Sequence, residues 1–308
     1  MFPEAKTCVA TLDVYVSFTC RVECCDTCLN SSQIEMTMSA ISSYSDWMSQ
    51  LPVELHNIPL FNLAIPGSHD SMSYDLDKNS SIIEPDGLKK FSKLCCVRKI
   101  VRRWATTQTL LRDINTWADK HPKEILILAL SHFKGFDRKN QQDLHNHLIH
   151  FIKSLFGNKL LPRKDSPTLK SCWDEGKNVI LSYDYPVGQH PEMWGRIQYF
   201  YGNSMDPITV ESKLCQYLEK PKPMKGFFVC GLNLTLPEDA RILKYIIRLC
   251  DNFPNVVNRS LPRMLQWVKE QARKTPMNII ASDIATRDQF VYTVIQLNIS
   301  KCEMHKGI

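Results

Sequence analysis

The 308-residue sequence lacks an uninterrupted apolar run of about 18 residues, so we expect no helix that crosses a bilayer. It also lacks a Gly-x-Ser-x-Gly elbow, and this absence argues against a serine nucleophile of that type. No internal repeat or low-complexity linker divides the chain from about residue 45 onward. We therefore predict one domain over 45–302, preceded by a poorly ordered extension over 1–44 that is rich in Cys, Ser and Thr.

The twelve cysteines lack the spacing that is typical of a small secreted disulfide framework. Those from Cys172 onward lie singly in apolar or helical settings, where a thiol packs as a small hydrophobe. Four others cluster within 20–28, where zinc binding and acylation are alternatives to an unstructured leader, which is the simpler interpretation. Asp13 interrupts the apolar run at 8–18, so we expect no secretory signal and predict a reduced, cytoplasmic protein without a metal or other cofactor.

Five apolar runs are short and continuous rather than alternating, which is typical of strands that are covered on both faces. They lie at 63–65, 125–130, 179–182, 227–232 and 278–282. Helical periodicity lies between and after them, at 144–155, 261–272 and 289–298. This alternation predicts an α/β fold with a parallel sheet covered by helices, and the domain length is typical of a (β/α) barrel.

The first predicted strand leads into a turn with three residues that can handle protons. Pro66 and Gly67 are expected to stop the strand, and Ser68, His69 and Asp70 follow them. An imidazole beside a carboxylate at the end of a strand is a typical arrangement for a general base. The alternative is a capped turn, in which Ser68 or Asp70 caps a following helix and His69 is only exposed.

Polar side chains also follow the other predicted strands. They are Ser131 and His132, Tyr183 and Asp184, Asn233, and Asp283. In an α/β barrel the carboxyl ends of the strands meet on one face, where substrates bind. Because the first and last strands of a closed barrel are neighbours, Asp283 is predicted to orient the His69 imidazole and to stabilise its protonated form.

Three further histidines share the predicted helix at 144–155, namely His145, His147 and His150. Only His147 and His150 lie on one face of that helix, and no carboxylate joins them in a ligand pattern. We therefore predict surface histidines and no metal site here.

Basic and apolar residues alternate over 89–104 as on one basic amphipathic helix with an aromatic anchor. The candidate membrane-contact residues are Lys89, Lys90, Lys93, Arg98, Lys99, Arg102, Arg103 and Trp104. Such a helix fits an anionic membrane surface, and the alternative is a solvated outer helix. The net charge of +6 is modest, and no nucleic-acid-binding module accompanies it, so nucleic acid is not predicted as a partner.

Six motifs follow one another along the chain: Asp-Trp-Met at 46–48, Ile-Pro-Gly-Ser-His-Asp at 65–70, Arg-Trp-Ala-Thr-Thr-Gln at 103–108, His-Pro-Lys-Glu-Ile-Leu-Ile-Leu at 121–128, Leu-Pro-Arg-Met-Leu-Gln-Trp at 261–267 and Asn-Ile-Ile-Ala-Ser-Asp at 278–283. In this order they make the sequence resemble the X-domain of phosphatidylinositol-specific phospholipase C, especially the small eukaryotic proteins made of that domain alone. The resemblance implies a TIM-barrel-like fold and calcium-independent cleavage of an inositol phospholipid, with that lipid or an anionic membrane as the partner. His69 matches the general base, Asp283 its carboxylate partner, and Asp70 the acid that orients a second, acidic histidine.

One part of the family pattern is missing. After the Trp-x-x-x-Gln segment the family continues with an Arg-Tyr-x-Asp-x-Arg strand and a strand ending near Phe-x-His-Gly, whereas here Gln108 runs directly into the helix at 111–117. The sequence therefore predicts an incomplete barrel without two inner strands, whose freed edges re-pair or face solvent. It also predicts an impaired phosphoric diester hydrolase, because those strands carry the acid histidine and the phosphate-stabilising arginine. The alternative is a non-catalytic protein that binds a membrane surface or an inositol phosphate.

Overall fold

The structure is a computed structural model that describes residues 9–15, 44–69, 104–134, 141–186, 190–220, 226–235, 253–283 and 288–306. Its strands are β1 (Val9–Tyr15), β2 (Ile65–Ser68), β3 (Leu126–Lys134), β4 (Val179–Tyr183), β5 (Met193–Trp194), β6 (Gln198–Tyr201), β7 (Phe228–Gly231) and β8 (Ile279–Ser282). Its α-helices are α1 (Trp104–Lys120), α2 (Gln141–Phe156), α3 (Leu169–Asp174), α4 (Pro207–Leu218), α5 (Phe253–Ala272) and α6 (Asp288–Lys306).

The strands form one sheet in the order β5-β4-β3-β1-β2-β8-β7-β6. All the pairings of β2 to β8 with one another are parallel, while β1 runs antiparallel to both of its neighbours. Helices lie between β2 and β3, β3 and β4, β6 and β7, and β7 and β8, as crossovers in the predicted α/β fold require.

The sheet curves so strongly that its two ends approach each other. β5 and β7 lie six positions apart in the strand order, yet the rings of Trp194 and Phe227 are only 5.6 Å apart. Neighbouring strands in a flat sheet are about 4.8 Å apart, so such a contact requires a barrel-like curl. The predicted TIM-barrel-like architecture is therefore confirmed, with β5 and β6 as its edges among the described strands.

The strand β1 comes from the segment for which no strand was predicted. Its register joins Leu12 to Leu130 and Val14 to Leu128 on β3, and Val14 also pairs with Ser68 on β2. It thus lies between β2 and β3, and α1 runs without interruption through 108–111. The N-terminal segment re-pairs the two edges that the missing strands would leave open, while residues 16–43 lie outside the described part of the chain.

Pro66 and Gly67 lie inside β2, so the prediction that they end the strand is wrong. The backbone N–H groups of Ile65 and His69 donate to Asn278 and Ser282 on the β8 side. Because alternate residues of a strand direct their N–H groups to opposite sides, the backbone nitrogen of Pro66 points away from β8. The missing donor of Pro66 therefore costs no hydrogen bond to β8.

Two buried asparagines hold β2 in place at the amino ends of the strands. The Asn278 side-chain amide donates to the Leu60 and Leu63 carbonyls at 2.9 and 2.8 Å. The Asn298 side chain accepts from the Ala64 N–H at 2.7 Å and donates to the Ala64 carbonyl at 2.9 Å. These side-chain amides hydrogen-bond to backbone groups of 60–64, the segment that leads into β2. They therefore connect the start of β2 to β8 and α6.

The helices are longer than their periodicity predicts. Gly157 follows α2 with a φ of +52°, a left-handed conformation that glycine adopts readily at the end of a helix. Pro262 lies well inside α5 rather than near its start, because the helix begins at Phe253. These boundaries are set by packing of the apolar faces, which local signals do not encode.

A proline in β1 tests whether this strand stabilises the barrel. We expect Leu12→Pro to lower the unfolding midpoint clearly, because proline removes a backbone donor from a strand flanked on both sides, and a buried partner left unpaired costs about 1–3 kcal/mol. Chemical denaturation followed by circular dichroism measures the change. Leu12→Ile keeps the N–H group and is the matched control. Equal midpoints for the proline and isoleucine variants would contradict the role assigned to β1.

Glu124 is a completely buried carboxyl group just before β3. Its Oε1 accepts the Met48 N–H at 2.9 Å, which links β3 to the short 3-10 helices at 44–50. Burial raises the pKa of Glu124 to about 8, and the charge of Asp46 adds to the rise, while the Met48 hydrogen bond opposes it. The folded protein therefore holds this carboxyl protonated near neutral pH.

The protonated state of Glu124 makes stability depend on pH. Between pH 4.5 and about 8 the unfolded chain loses this proton while the folded chain keeps it, so the free energy of unfolding falls as the pH rises. We expect Glu124→Gln to remove a slope of up to about 1.4 kcal/mol per pH unit in that window and to raise stability above pH 8 relative to wild type. Urea unfolding at several pH values measures this, with Glu219→Gln on an exposed glutamate as the control. A wild-type slope that survives in Glu124→Gln would disprove it.

Candidate active site

His69 and Asp283 meet at the carboxyl ends of two adjoining parallel strands. The register pairs Ser68 of β2 with Ser282 of β8, so the next residue of each strand lies side by side. The Nδ1 atom of His69 is 3.2 Å from Oδ1 of Asp283, and the His69 N–H donates to the Ser282 carbonyl at 3.3 Å. Both side chains are about one-fifth to one-quarter exposed, so the pair faces the mouth of the barrel. The predicted pairing of these two residues is confirmed, and their chemical roles stay predictions.

The other carboxylate oxygen of Asp283 is held by the chain that leaves β7. The Leu234 N–H donates to Oδ2 at 3.3 Å, so the carboxylate lies between β2 and the β7 exit. The Leu232 N–H donates to the Ala281 carbonyl at 2.8 Å and keeps that exit against β8. A carboxylate with both oxygens occupied keeps one orientation toward the imidazole.

A third strand reaches His69 through an aromatic ring. The Tyr199 ring centroid on β6 is 5.4 Å from that of His69, and the two planes are inclined by 51°. The Tyr199 hydroxyl donates to Oδ1 of the buried Asn233 at 2.9 Å. The sequence predicted Asn233 at this face but missed Tyr199. The only signal was a short aromatic run, Tyr-Phe-Tyr at 199–201, whose residue types favour strands.

The remaining predicted positions do not join His69 in the described contacts. Ser131 and His132 lie within β3 rather than after it, and the side chain of His132 is outside the described part. Asp184 follows β4, where its backbone N–H donates to the Leu130 carbonyl at 2.9 Å. Asp70 and the basic residues at 89–103 are not among the described residues, and Trp104 begins α1 with its side chain outside the described part.

His145 is completely buried, so the prediction of a surface histidine is wrong for this residue. Its Nδ1 lies 2.8 Å from the Tyr183 hydroxyl, its ring stacks on Tyr185 at 3.6 Å, and Phe133 meets it edge-on at 4.8 Å. Burial lowers the pKa of His145 to about 4 and raises that of Tyr183, so both are uncharged near neutral pH. This cluster anchors α2 to β3 and β4. His147 is exposed on the same helix, as predicted.

A separate cavity of about 390 Å³ lies near the amino ends of β6 and β7, away from His69. Phe61, Trp194 and Phe227 line it, together with Lys164 and Arg196. The two cations have carboxylate partners: Lys164 pairs with Glu175, and Arg196 lies 3.7 Å from Asp184. The cavity is therefore lined by aromatic rings and by two cations that already have carboxylate partners. It is separate from the His69 site.

The described residues bear on two other kinds of site. Within those residues, no group of three or more His, Cys, Asp and Glu side chains is placed to hold a metal ion. No helix in the same part of the chain is both long and apolar enough to span a membrane.

The fold and this site define an α/β-barrel protein with a histidine–carboxylate pair at the carboxyl ends of its parallel strands. The sequence model of the PI-PLC X family, described as PI-PLC X 1, matches residues 84–298, which include Asp283 and begin after His69. The chain therefore belongs to the PI-PLC X-domain family, and the resemblance inferred from its motifs is confirmed.

Individual relatives agree with this assignment. PI-PLC X domain-containing protein 1 of Danio rerio is 34% identical over 291 residues, which cover 78% of this chain and 91% of that protein. The Homo sapiens protein of the same name is 33% identical over 82% of this chain and 92% of its own length. The solved phosphatidylinositol-specific phospholipase C from Listeria monocytogenes aligns with a TM-score of 0.53 and 19% identity, covering 82% of this chain and 98% of that one, and supports the fold.

The lengths of these alignments agree with a missing internal segment. The alignment with the Danio rerio protein is 291 positions long but uses 78% of the 308 residues here, or about 240. About 50 of its positions therefore have no counterpart in this chain. Two strands with their connections are of this order of length, as the break after Gln108 predicts.

The burial of His145 can be tested by measuring stability at acidic pH. Between pH 6.5 and about 4 the unfolded chain takes up a proton at His145 while the folded chain does not, so folding stability is lost as the pH falls. His145→Asn does not titrate, and we expect it to reduce this slope by up to about 1.4 kcal/mol per pH unit. Denaturant titrations from pH 7 to pH 4 measure it, and the exposed His147→Asn is the control. If both variants keep the wild-type slope, His145 is not buried as described.

Proposed function

We propose that this chain is a phospholipase-C-type phosphodiesterase with reduced activity, which cleaves an inositol phospholipid with His69 as general base. The observation that carries the proposal is the 3.2 Å contact between His69 Nδ1 and Asp283 Oδ1 at the barrel mouth. A carboxylate at Nδ1 holds the N–H tautomer there, which makes Nε2 the ring nitrogen that accepts a proton. Family membership supports the substrate class.

The proposed step is a transfer within the substrate. Nε2 of His69 takes the proton of the inositol 2-hydroxyl, and that oxygen attacks the phosphorus. The bond from phosphorus to the diacylglycerol oxygen breaks, which leaves a cyclic inositol phosphodiester and an alkoxide that takes a proton from water. Asp283 stabilises the imidazolium, which later returns its proton to solvent.

The activity is proposed to be low because two contributions are missing from the sequence. No Arg-Tyr-x-Asp-x-Arg motif is present to supply a cation for the phosphate oxygens or to lead to an acid histidine. General acid catalysis and charge stabilisation each contribute about 100-fold or more in comparable enzymes. Tyr199, whose ring centroid lies 5.4 Å from that of His69, and its hydrogen-bond partner Asn233 supply no cation on that side of the imidazole.

A membrane surface is the proposed place of action. Phosphatidylinositol lies in membranes, and the basic stretch at 89–104 fits the anionic face of a cytoplasmic leaflet. The protein is accordingly proposed to be cytoplasmic and peripherally bound. The second candidate function is binding of the lipid or of an inositol phosphate without turnover, and it is favoured by the same absence of the arginine motif.

Release of inositol phosphates from phosphatidylinositol vesicles tests the proposal. We expect slow turnover that persists in a calcium chelator and falls by about 100-fold or more in His69→Ala, because the general base is lost. Asp283→Asn should fall similarly, since the amide can no longer stabilise the imidazolium. His147→Ala removes an exposed histidine elsewhere and should keep the wild-type rate.

The two candidate functions give different results in this assay. Turnover that is unchanged in His69→Ala would exclude the proposed role of His69. Wild type could instead show no turnover but bind vesicles, and lose this binding when the lysines and arginines of 89–103 are neutralised. This result would support the non-catalytic binding function.

A further inference from the structure

We propose that Tyr199 is a positioning residue for His69, and that its ring holds the imidazole against Asp283. This inference rests on the proposed function, in which His69 is the base, and it assigns a role to a residue outside the His–Asp pair.

The contact between Tyr199 and His69 crosses the inside of the barrel. β6 and β2 are separated in the sheet by β7 and β8, which at about 4.8 Å per strand places them about 14 Å apart along the sheet. The two ring centroids are nevertheless 5.4 Å apart. Both side chains must therefore point to the concave side of the sheet and meet at its mouth. The neighbouring Phe200 has the opposite orientation and stacks on Tyr217 of α4 at 5.0 Å.

The Tyr199 ring is held in place by its own neighbours. Its hydroxyl donates to Asn233 Oδ1 at 2.9 Å, and the Asn233 amide nitrogen donates to Thr235 Oγ1 at 3.3 Å, which fixes the direction of the amide. Gly231 leaves room for this arrangement. A Cβ atom at that position would lie 2.6 Å from Tyr199 Cε1 and 2.5 Å from Asn233 Oδ1, so every other residue type would displace the pair.

The same short segment also holds the carboxylate. Asn233 fixes Tyr199 through its side chain, and the next residue, Leu234, fixes Asp283 through its N–H group. Both groups that border the imidazole are therefore anchored to two consecutive residues after β7. The hydrogen bond at Nδ1 does not by itself fix the tilt of the imidazole, and an aromatic ring packed beside it restricts that tilt.

The tautomer of the His69 imidazole shows directly whether Tyr199 has this role. Long-range proton–nitrogen NMR spectra of the full chain distinguish the Nδ1–H from the Nε2–H tautomer. We expect a dominant Nδ1–H form in wild type and a shift toward a mixture of tautomers in Tyr199→Leu. Asn233→Ala keeps the ring but releases its hydroxyl, and should produce a smaller shift in the same direction. Phe200→Leu removes an aromatic ring from the same strand on the opposite face and should leave the His69 signals unchanged.

Kinetics supply a second readout if turnover is measurable. A misplaced base slows the chemical step more than binding, so Tyr199→Leu is expected to lower kcat by about 10- to 100-fold with little change in KM. Tyr199→Phe keeps the ring and should recover most of that loss.

The outcomes separate this inference from the proposed function. The NMR measurement needs no turnover, and Asp283→Asn serves as a variant that must alter the tautomer. If wild type is inactive but Tyr199→Leu shifts the tautomer, the catalytic proposal fails and the positioning role stands. If Tyr199→Leu and Asn233→Ala both remain folded with unchanged His69 signals, the positioning role is overturned. If Tyr199→Leu unfolds, the shift expected in Asn233→Ala decides the question.

Discussion

The parallel register between β2 and β8 is the constraint on which the site depends. Four residue pairs, from Ile65 with Ile279 to Ser68 with Ser282, place His69 beside Asp283. A slip of one residue would turn every side chain of β2 to the other face of the sheet and separate the pair. Asn278 and Asn298 prevent this slip at the opposite end of the strand, because each bonds backbone groups of the entry to β2. Leaving these buried groups unpaired would cost about 1–3 kcal/mol each.

The position of β1 shows how a barrel can lose strands and remain paired. Strand pairing uses backbone N–H and C=O groups, which every non-proline residue carries, so a segment unrelated to the missing strands can occupy their place. The replacement runs antiparallel, and most of its described pairs are with β3. It restores hydrogen bonds, but it does not restore an acid histidine or an arginine. The described sheet is therefore continuous from β2 through β1 to β3, although the sequence contains no Arg-Tyr-x-Asp-x-Arg motif.

Stability and chemistry are divided between the two ends of the strands. The amino ends hold buried polar groups with structural partners, among them Glu124 under Met48 and Asn178, whose amide donates to the Ala118 carbonyl at 2.9 Å. The carboxyl ends hold the half-buried pair His69 and Asp283, which solvent and ligands can reach. This division is general in α/β barrels. It agrees with the expectation that substitution of Glu124 changes unfolding, while substitutions beside His69 change the state of its imidazole.

Local pattern determined much of this protein: the alternation of strands and helices, the barrel class, and the pairing of His69 with Asp283, which follows once the first and last parallel strands are neighbours. The sequence alone could not place β1, because antiparallel pairing with β3 joins residues more than a hundred positions apart and leaves no periodic signal. Nor could it show that His145 is buried, since the aromatic rings around it come from β3 and from the end of β4. Tyr199 reaches His69 only because the sheet curls. Propensity and periodicity act over a few residues, whereas these contacts depend on how distant segments share one curved surface.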